Sequence, residues 1–242
     1  MNASQLAQSH TRSAIRRRLS APPSPSYLRD FIYGGIDGAI TTFAIVAGSV
    51  GADLGTRTIL ILGLSNLVAD GLSMAASNYS ATKAEVDHYT HVAAEESHQI
   101  DTVPDGEREE VRQLLERKGL AGDTLSEATE AITSIRQRWI DFMMSEEHGL
   151  ALSTRTPMRA AAATFAAFVV CGSISLIPFL IATQKPFEAS LMLTACVFFG
   201  IGSWKSRWSV MPWWRSGLET LAIGSGAAIV AFAIGNGLKN II

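Results

Sequence analysis

The chain has 242 residues, with 20 Lys and Arg against 22 Asp and Glu and a formal net charge of −2. This near-neutral balance argues against a nucleic-acid partner, because binding phosphate requires a basic surplus. A mean hydropathy of +0.20 with only 17% charged residues is unusual for a soluble domain and indicates that charged residues are unevenly distributed.

Residues 1–28 form a basic, proline-rich N-terminal tail that we expect to be disordered. Its arginines precede a short run of prolines: Arg12, Arg16, Arg17 and Arg18, then Pro22, Pro23 and Pro25. No apolar run follows the arginines at once, so the pattern favours a tail over a cleaved signal peptide.

Five apolar segments follow, and about 20 apolar residues in a helix suffice to cross a bilayer core. The predicted spans are 31–52, 57–82, 160–183, 187–204 and 216–238. Basic residues gather before the first span and between the fourth and fifth, which places the N-terminus and the segment 83–150 in the cytosol. Buried helices of a large soluble core are the alternative, which five such runs disfavour. The sequence thus predicts an all-α polytopic membrane protein, with spans one and two in 29–82 and spans three to five in 151–242.

An acidic insert, residues 83–150, separates spans two and three and carries 16 acidic and 7 basic residues. Its pattern predicts three cytosolic helices: one over 84–100, one between Pro104 and Gly119, and one over 125–148. We expect the first and last of these to run continuously into spans two and three.

The insert offers metal ligands at helical spacing. Glu107 and Glu110 are three residues apart and share a helix face, and carboxylate pairs on facing helices build metal sites in helical bundles. Glu147 lies three residues after Met144, and a nearby thioether favours transition metals over Mg(II) and Ca(II). A solvated acidic face is the alternative reading of these residues.

Two aspartates, Asp37 and Asp70, lie inside predicted spans, where an ionised carboxylate costs at least a few kcal/mol. Asn66, Asp70 and Met74 follow one another at intervals of four and form a stripe on one helix face. Such a stripe of amide, carboxylate and thioether is suited to a divalent transition cation. A hydrogen-bonded network between helices is the alternative.

These residues lie in stretches that resemble the vacuolar iron transporter family. The stretches are RDFIYGGIDG at 29–38, NLVADGLSM at 66–74, TVPDGEREE at 102–110 and WIDFMMSEEHGL at 139–150. The resemblance implies a homodimer of five-span subunits that exports Fe(II), and often Mn(II), from the cytosol in exchange for protons. It implies transport residues at Asp37 and Met74. It further implies metal-binding carboxylates, with methionines beside them: Glu96, Glu107, Glu110 and Glu147, then Met143 and Met144.

Two positions depart from the family pattern. Gln99 stands where the family commonly has Glu, which removes one charge from the insert site, and Glu95, His98 or His91 could compensate. Asn66 stands where the family often has Glu, and Asp70, one turn later, could supply the missing carboxylate.

The predicted function is therefore a cation/proton exchanger, a secondary active transporter rather than an enzyme. Its expected ions are Fe(II) and Mn(II), with Zn(II) and Co(II) as further candidates. We expect the bacterial inner membrane, with a vacuolar membrane as the alternative. A membrane-anchored, ferritin-like storage protein without flux is the rival function, and a transporter whose insert is only a regulatory sensor is a second.

Overall fold

The computed structural model describes residues 2–20, 25–151, 155–239 and 241. Helices make up 84% of the structure and the described residues contain no strand, which confirms the predicted all-helical architecture. Eleven α-helices lie in the described residues: α1 Ala3–Ser9, α2 Arg12–Ser20, α3 Leu28–Gly51, α4 Thr56–Thr102, α5 Pro104–Arg117, α6 Gly122–Thr133, α7 Arg136–Glu146, α8 Pro157–Ser173, α9 Ile177–Leu180, α10 Pro186–Lys205 and α11 Trp213–Leu238.

The chain divides into two compact units. The apolar unit comprises residues 27–95 and 155–242, and the acidic unit comprises residues 1–26 and 96–154. Helix α4 passes without a break through the predicted boundary at residue 82, so the predicted continuity between span two and the first insert helix is confirmed. Residues 83–95 of the predicted insert group with the apolar unit.

Helix α3 packs against α8, α10 and α11 in the apolar unit. Glycines allow the closest of these approaches: a Cβ atom built on Gly38 would lie 2.3 Å from the carbonyl oxygen of Phe168, and one on Gly34 would lie 2.2 Å from that of Thr164. The small-residue spacing of Gly34 and Gly38 therefore marks a backbone contact between α3 and α8. Around it, Phe43, Leu67, Phe168 and Leu176 belong to one buried apolar cluster.

Four helices are long and apolar enough to cross a membrane: Leu28–Gly51, Thr56–Thr102, Pro186–Trp208 and Trp213–Leu238. The remaining predicted span, 160–183, is divided into the 17-residue α8 and the short α9. Pro178 lies at the start of α9 and has no N–H to continue the helical ladder, which is consistent with the break. The number of membrane crossings thus stays a prediction.

The acidic unit differs from its prediction in one helix. The single helix expected over 125–148 is wrong, because the chain leaves the helix at Ser134 and Ile135 between α6 and α7. The β-branched run around this point disfavours helix, and the hydroxyls of Thr129 and Thr133 bond carbonyls four residues back at 2.8 and 3.0 Å. Helix α7 also ends at Glu146, and ten residues separate it from the start of α8 at Pro157, so the expected continuity with span three is wrong as well.

The N-terminal tail also departs from expectation, because α1 and α2 occupy part of the segment predicted to be disordered. The side chain of Asn2 accepts a hydrogen bond from the Gln5 N–H, and Gln5 Oε1 accepts one from the Asn2 N–H. This capping box satisfies two amide groups that a helix start leaves unpaired, so it accounts for helix where charge alone predicts none. Prolines 22 and 23 lie outside the described residues.

Candidate metal sites

Three helices of the acidic unit contribute to a group of acidic side chains. Glu96 lies on the last part of α4, Glu107 lies in the first turn of α5, and Glu147 follows the end of α7. Gly149 has φ +64°, a left-handed conformation that glycine adopts at little cost, and Leu150 N–H then bonds the Met144 carbonyl at 2.8 Å. This turn fixes the backbone directly after Glu147.

The closest ligand atoms in this group belong to Glu96, Glu147 and His148. His148 Nε2 lies 2.8 Å from Glu96 Oε1 and 3.7 Å from Glu147 Oε2, and one ligand atom from each residue lies within 4.8 Å of the others. The Glu96 side chain is 2% exposed, whereas His148 and Glu147 reach the surface. Among the described residues, this is the group of histidine, cysteine and carboxylate side chains that could hold a metal ion.

Glu107 is buried beside this group. Burial, followed by the charges of Glu110, Glu96 and Glu147, raises the pKa of Glu107 to about 7. Burial likewise raises the pKa of Glu147, with Glu110 and Glu96 as the next contributors. Four carboxylates that repel one another in this way are stabilised by a bound cation, since a cation removes the repulsion.

Two acceptor atoms in this group have no hydrogen-bond partner. They are Glu96 Oε2 and Glu107 Oε2, both fully enclosed in protein. Buried polar atoms are nearly always paired, and an unpaired carboxylate oxygen is a ready metal ligand.

The other predicted insert residues divide into buried and exposed positions. Met143 and Met144 are 0% and 1% exposed and lie in the core of the acidic unit. Glu110 is exposed but close enough for its charge to act on Glu107 and Glu147. Gln99 is exposed and offers no charge. Glu107 and Glu110, three residues apart on α5, thus differ in burial: the Glu107 carboxylate is buried and the Glu110 carboxylate is exposed.

The apolar unit holds a second candidate site. Asp37 of α3 and Met74 of α4 line one cavity of about 480 Å³, together with Tyr33 and Lys205. Both Asp37 and Met74 are half-buried. The structure therefore brings a carboxylate and a thioether from two apolar helices to one cavity.

Of the predicted stripe on α4, only Met74 lines this cavity. Asn66 donates a hydrogen bond to Asp70 and accepts one from the Thr42 hydroxyl at 3.3 Å. Asp70 is exposed on the surface of the chain and lies outside the cavity lining, although its charge acts on Asp37. Asn66 and Asp70 thus form a hydrogen-bonded pair beside the Asp37 and Met74 cavity.

A buried polar cluster in the same unit escaped the sequence analysis. Asp30 is 3% exposed, and its Oδ1 accepts hydrogen bonds from Arg155 at 2.5 Å and from Asn78 at 2.8 Å. These residues line a cavity of about 270 Å³ that also includes Met74. The pairing of residues 125 positions apart leaves no signal in a single sequence.

An all-helical chain with four apolar helices of membrane-crossing length is an integral membrane protein. A family model described as the VIT family matches residues 28–236, and the chain belongs to this family. It is 32% identical over 212 residues to vacuolar iron transporter 1 of Arabidopsis thaliana, covering 86% of this chain and 84% of that protein. It is 32% identical over 218 residues to vacuolar iron transporter 1 of Eucalyptus grandis, covering 88% and 87%. It is 30% identical over 217 residues to vacuolar iron transporter 2 of Oryza sativa subsp. japonica, covering 88% of each chain.

Proposed function

We propose that this chain is a secondary active transporter that moves Fe(II) out of the cytosol in exchange for protons. The observation that carries the proposal is the shared cavity of Asp37 and Met74 in a chain of the VIT family. A carboxylate balances cationic charge, and a thioether adds a soft ligand that favours transition metals over Mg(II) and Ca(II). The names of the relatives, vacuolar iron transporters, support iron as the cargo.

The acidic unit is the cytosolic capture site in this proposal. Its buried and mutually repelling carboxylates raise the local concentration of cations and offer oxygen ligands. The ion then passes to Asp37 and Met74, with Asp70 and Asn66 beside them. Protonation from the far side releases the metal, because a protonated carboxyl group is a poor ligand.

Mn(II) is a second cargo in this proposal, because carboxylate sites suit it. Fe(II) and Mn(II) bind weakly among the first-row metals, so geometry and availability decide selectivity over Zn(II) and Co(II). The N-terminus and the acidic unit face the cytosol, as the distribution of arginines favours. We place the chain in a bacterial inner membrane, with a vacuolar membrane, as in the names of its relatives, as the alternative.

The working form is a homodimer. Asp70 is exposed on an apolar helix between the exposed side chains of Val68 and Leu72. A carboxylate facing lipid is costly, so a second copy of the chain that covers this face of α4 relieves the cost. A protein mass in detergent near that of one chain, 25.9 kDa, contradicts the dimer, and a mass near twice that value supports it.

The test is metal flux into proteoliposomes with an imposed pH gradient. Asp37→Ala and Met74→Ala should each abolish most Fe(II) uptake. Met192→Ala, which removes a thioether 71% exposed on α10, and Asp53→Asn, in the turn after α3, are matched controls that keep uptake. Wild-type uptake by both the Asp37 and Met74 variants refutes the proposed pathway. Metal binding without any wild-type flux supports the storage function, and basal flux after deletion of the acidic unit supports the sensor.

A further inference from the structure

His148 contacts the buried carboxylate of Glu96, with Nε2 2.8 Å from Glu96 Oε1, although the family resemblance assigns it no role. We infer that His148 binds the captured metal directly, together with Glu96 and Glu147. Its imidazole nitrogen shifts the preference of the acidic unit towards Co(II), Zn(II) and Fe(II) relative to Mn(II). The inference adds a ligand to the proposed capture site. It rests on the proposed function only for the claim that the bound metal is the one that is transported.

The distances fit direct binding. Metal–nitrogen and metal–oxygen bonds of about 2.1 Å place neighbouring ligand atoms about 3.0 Å apart in octahedral geometry and about 3.4 Å apart in tetrahedral geometry. His148 Nε2 lies 2.8 Å from Glu96 Oε1 and 3.7 Å from Glu147 Oε2. The two His148 distances therefore lie close to the separations that a bound metal requires, and all three ligand atoms lie within 4.8 Å of one another.

A second observation points to a ligand at this place. Glu96 is 2% exposed, its Oε1 faces His148, and its Oε2 is enclosed without any hydrogen-bond partner. The imidazole thus satisfies one oxygen of a buried carboxylate and leaves the other unsatisfied. A metal ion bound by Glu96 and His148 supplies the missing positive partner.

The remaining histidines near this end of α4 do not share the arrangement. His91 pairs with Glu95, one turn away, at 3.4 Å, with both side chains more than half exposed. His98 is exposed and lies outside the group of potential ligands. The loss of a carboxylate at Gln99 is therefore met by His148 rather than by Glu95, His91 or His98.

Ligand chemistry gives the direction of the preference. Imidazole suits Zn(II), Fe(II) and other late first-row ions, whereas carboxylate and water ligands suit Mn(II). A site of Glu96, Glu147 and a nitrogen donor consequently discriminates against Mn(II) more strongly than an all-carboxylate site does.

The experiment uses the full chain in detergent, loaded with Mn(II) or Co(II) alone. Pulsed electron paramagnetic resonance of bound Mn(II) should show nitrogen coupling in the wild type and in His98→Ala. The coupling should be absent in His148→Ala and His148→Glu. The ratio of Co(II) to Mn(II) affinity, measured by calorimetry, should fall at least about tenfold in His148→Glu, which keeps an acidic ligand and hence Mn(II) binding.

The outcomes separate this inference from the proposed transport. Nitrogen coupling that persists in both His148 variants, or that is lost in His98→Ala, overturns the assignment of His148. An unchanged affinity ratio in His148→Glu overturns its role in selectivity. The assignment stands if coupling and ratio change as expected, even where the wild type moves no Fe(II) across proteoliposomes, which refutes the transport proposal instead.

Discussion

Replacement of Glu107 by glutamine should stabilise the metal-free acidic unit at neutral and alkaline pH. Glu107 is 2% exposed, and its surroundings raise its pKa from an ordinary 4.5 to about 7. Each pKa unit corresponds to about 1.4 kcal/mol, so ionisation of this buried carboxyl costs the metal-free fold about 3 kcal/mol. Glutamine keeps the size of the side chain and removes the charge.

The sign of the pH dependence follows from the direction of the shift. Below pH 4.5 the Glu107 carboxyl is protonated in both folded and unfolded chains, and stability is unaffected. As pH rises towards 7, the unfolded chain releases its proton and the folded chain retains it, so stability falls. Above pH 7 the full cost is present and the curve levels off. Glu147, whose pKa is also raised, adds to the fall.

Hydrogen exchange of the backbone amides of α5, measured in chelator from pH 5 to 8, reports this local stability. Protection in the wild type should decrease with pH, and the decrease should be much smaller in Glu107→Gln. Glu127→Gln, which removes an exposed carboxylate of α6, is the matched control and should follow the wild type. The reasoning is refuted if Glu107→Gln is no better protected than the wild type at pH 8. Added Mn(II) should reverse the order, because binding stabilises the folded state and Glu107 supplies a ligand.

Two further predictions concern the apolar unit. Gly38→Ala places a Cβ atom against the Phe168 carbonyl, and the overpacking should cost about 1–3 kcal/mol and so lower the thermal unfolding temperature in detergent. Gly226→Ala, with no atom within 4 Å of the added Cβ, should leave the unfolding temperature unchanged. Equal unfolding temperatures for the two variants would contradict the close α3–α8 contact. Arg155→Gln leaves the buried Asp30 carboxylate without its cationic partner and should lower the free energy of unfolding by about 3 kcal/mol. Adding Asp30→Asn to this variant should restore part of the lost stability. If the effects of the two substitutions on the free energy of unfolding are strictly additive, the ion pair is not coupled.

The apolar helices were predictable because their signal is local. Long runs without charge predict α3, α10 and α11 and the start of α4 within a few residues, since each run needs only its own composition to indicate a membrane-length helix. The division of 160–183 into α8 and α9, and of 125–148 into α6 and α7, was missed. In both cases a few residues with competing backbone preferences interrupt a favourable pattern.

The candidate sites show more clearly that the sequence predicts contacts within one helix but not contacts between residues far apart in the chain. Helical spacing correctly places Asn66 next to Asp70, because four residues make one turn of a single helix. Asp30 and Arg155 were missed, and His148 was not singled out as a ligand, because each contacts a residue far away in sequence. Spacing also gives no burial, so it treats Glu107 and Glu110 alike although only Glu107 is enclosed.

The contacts of Asp30 have a consequence for how this chain is assembled from parts. Arg155, the first described residue after the acidic unit, bonds Asp30 and lies 3.9 Å from Glu85, while Asn78 of the same helix also bonds Asp30. Residues 86–154 therefore form a segment whose two ends meet, at Glu85 and Arg155 of the apolar unit. Segments whose ends meet in this way behave as exchangeable modules, because their replacement leaves the host fold closed. Residues 86–154, which carry the proposed capture ligands, should therefore be replaceable by the corresponding segment of a relative without changes around Asp37 and Met74.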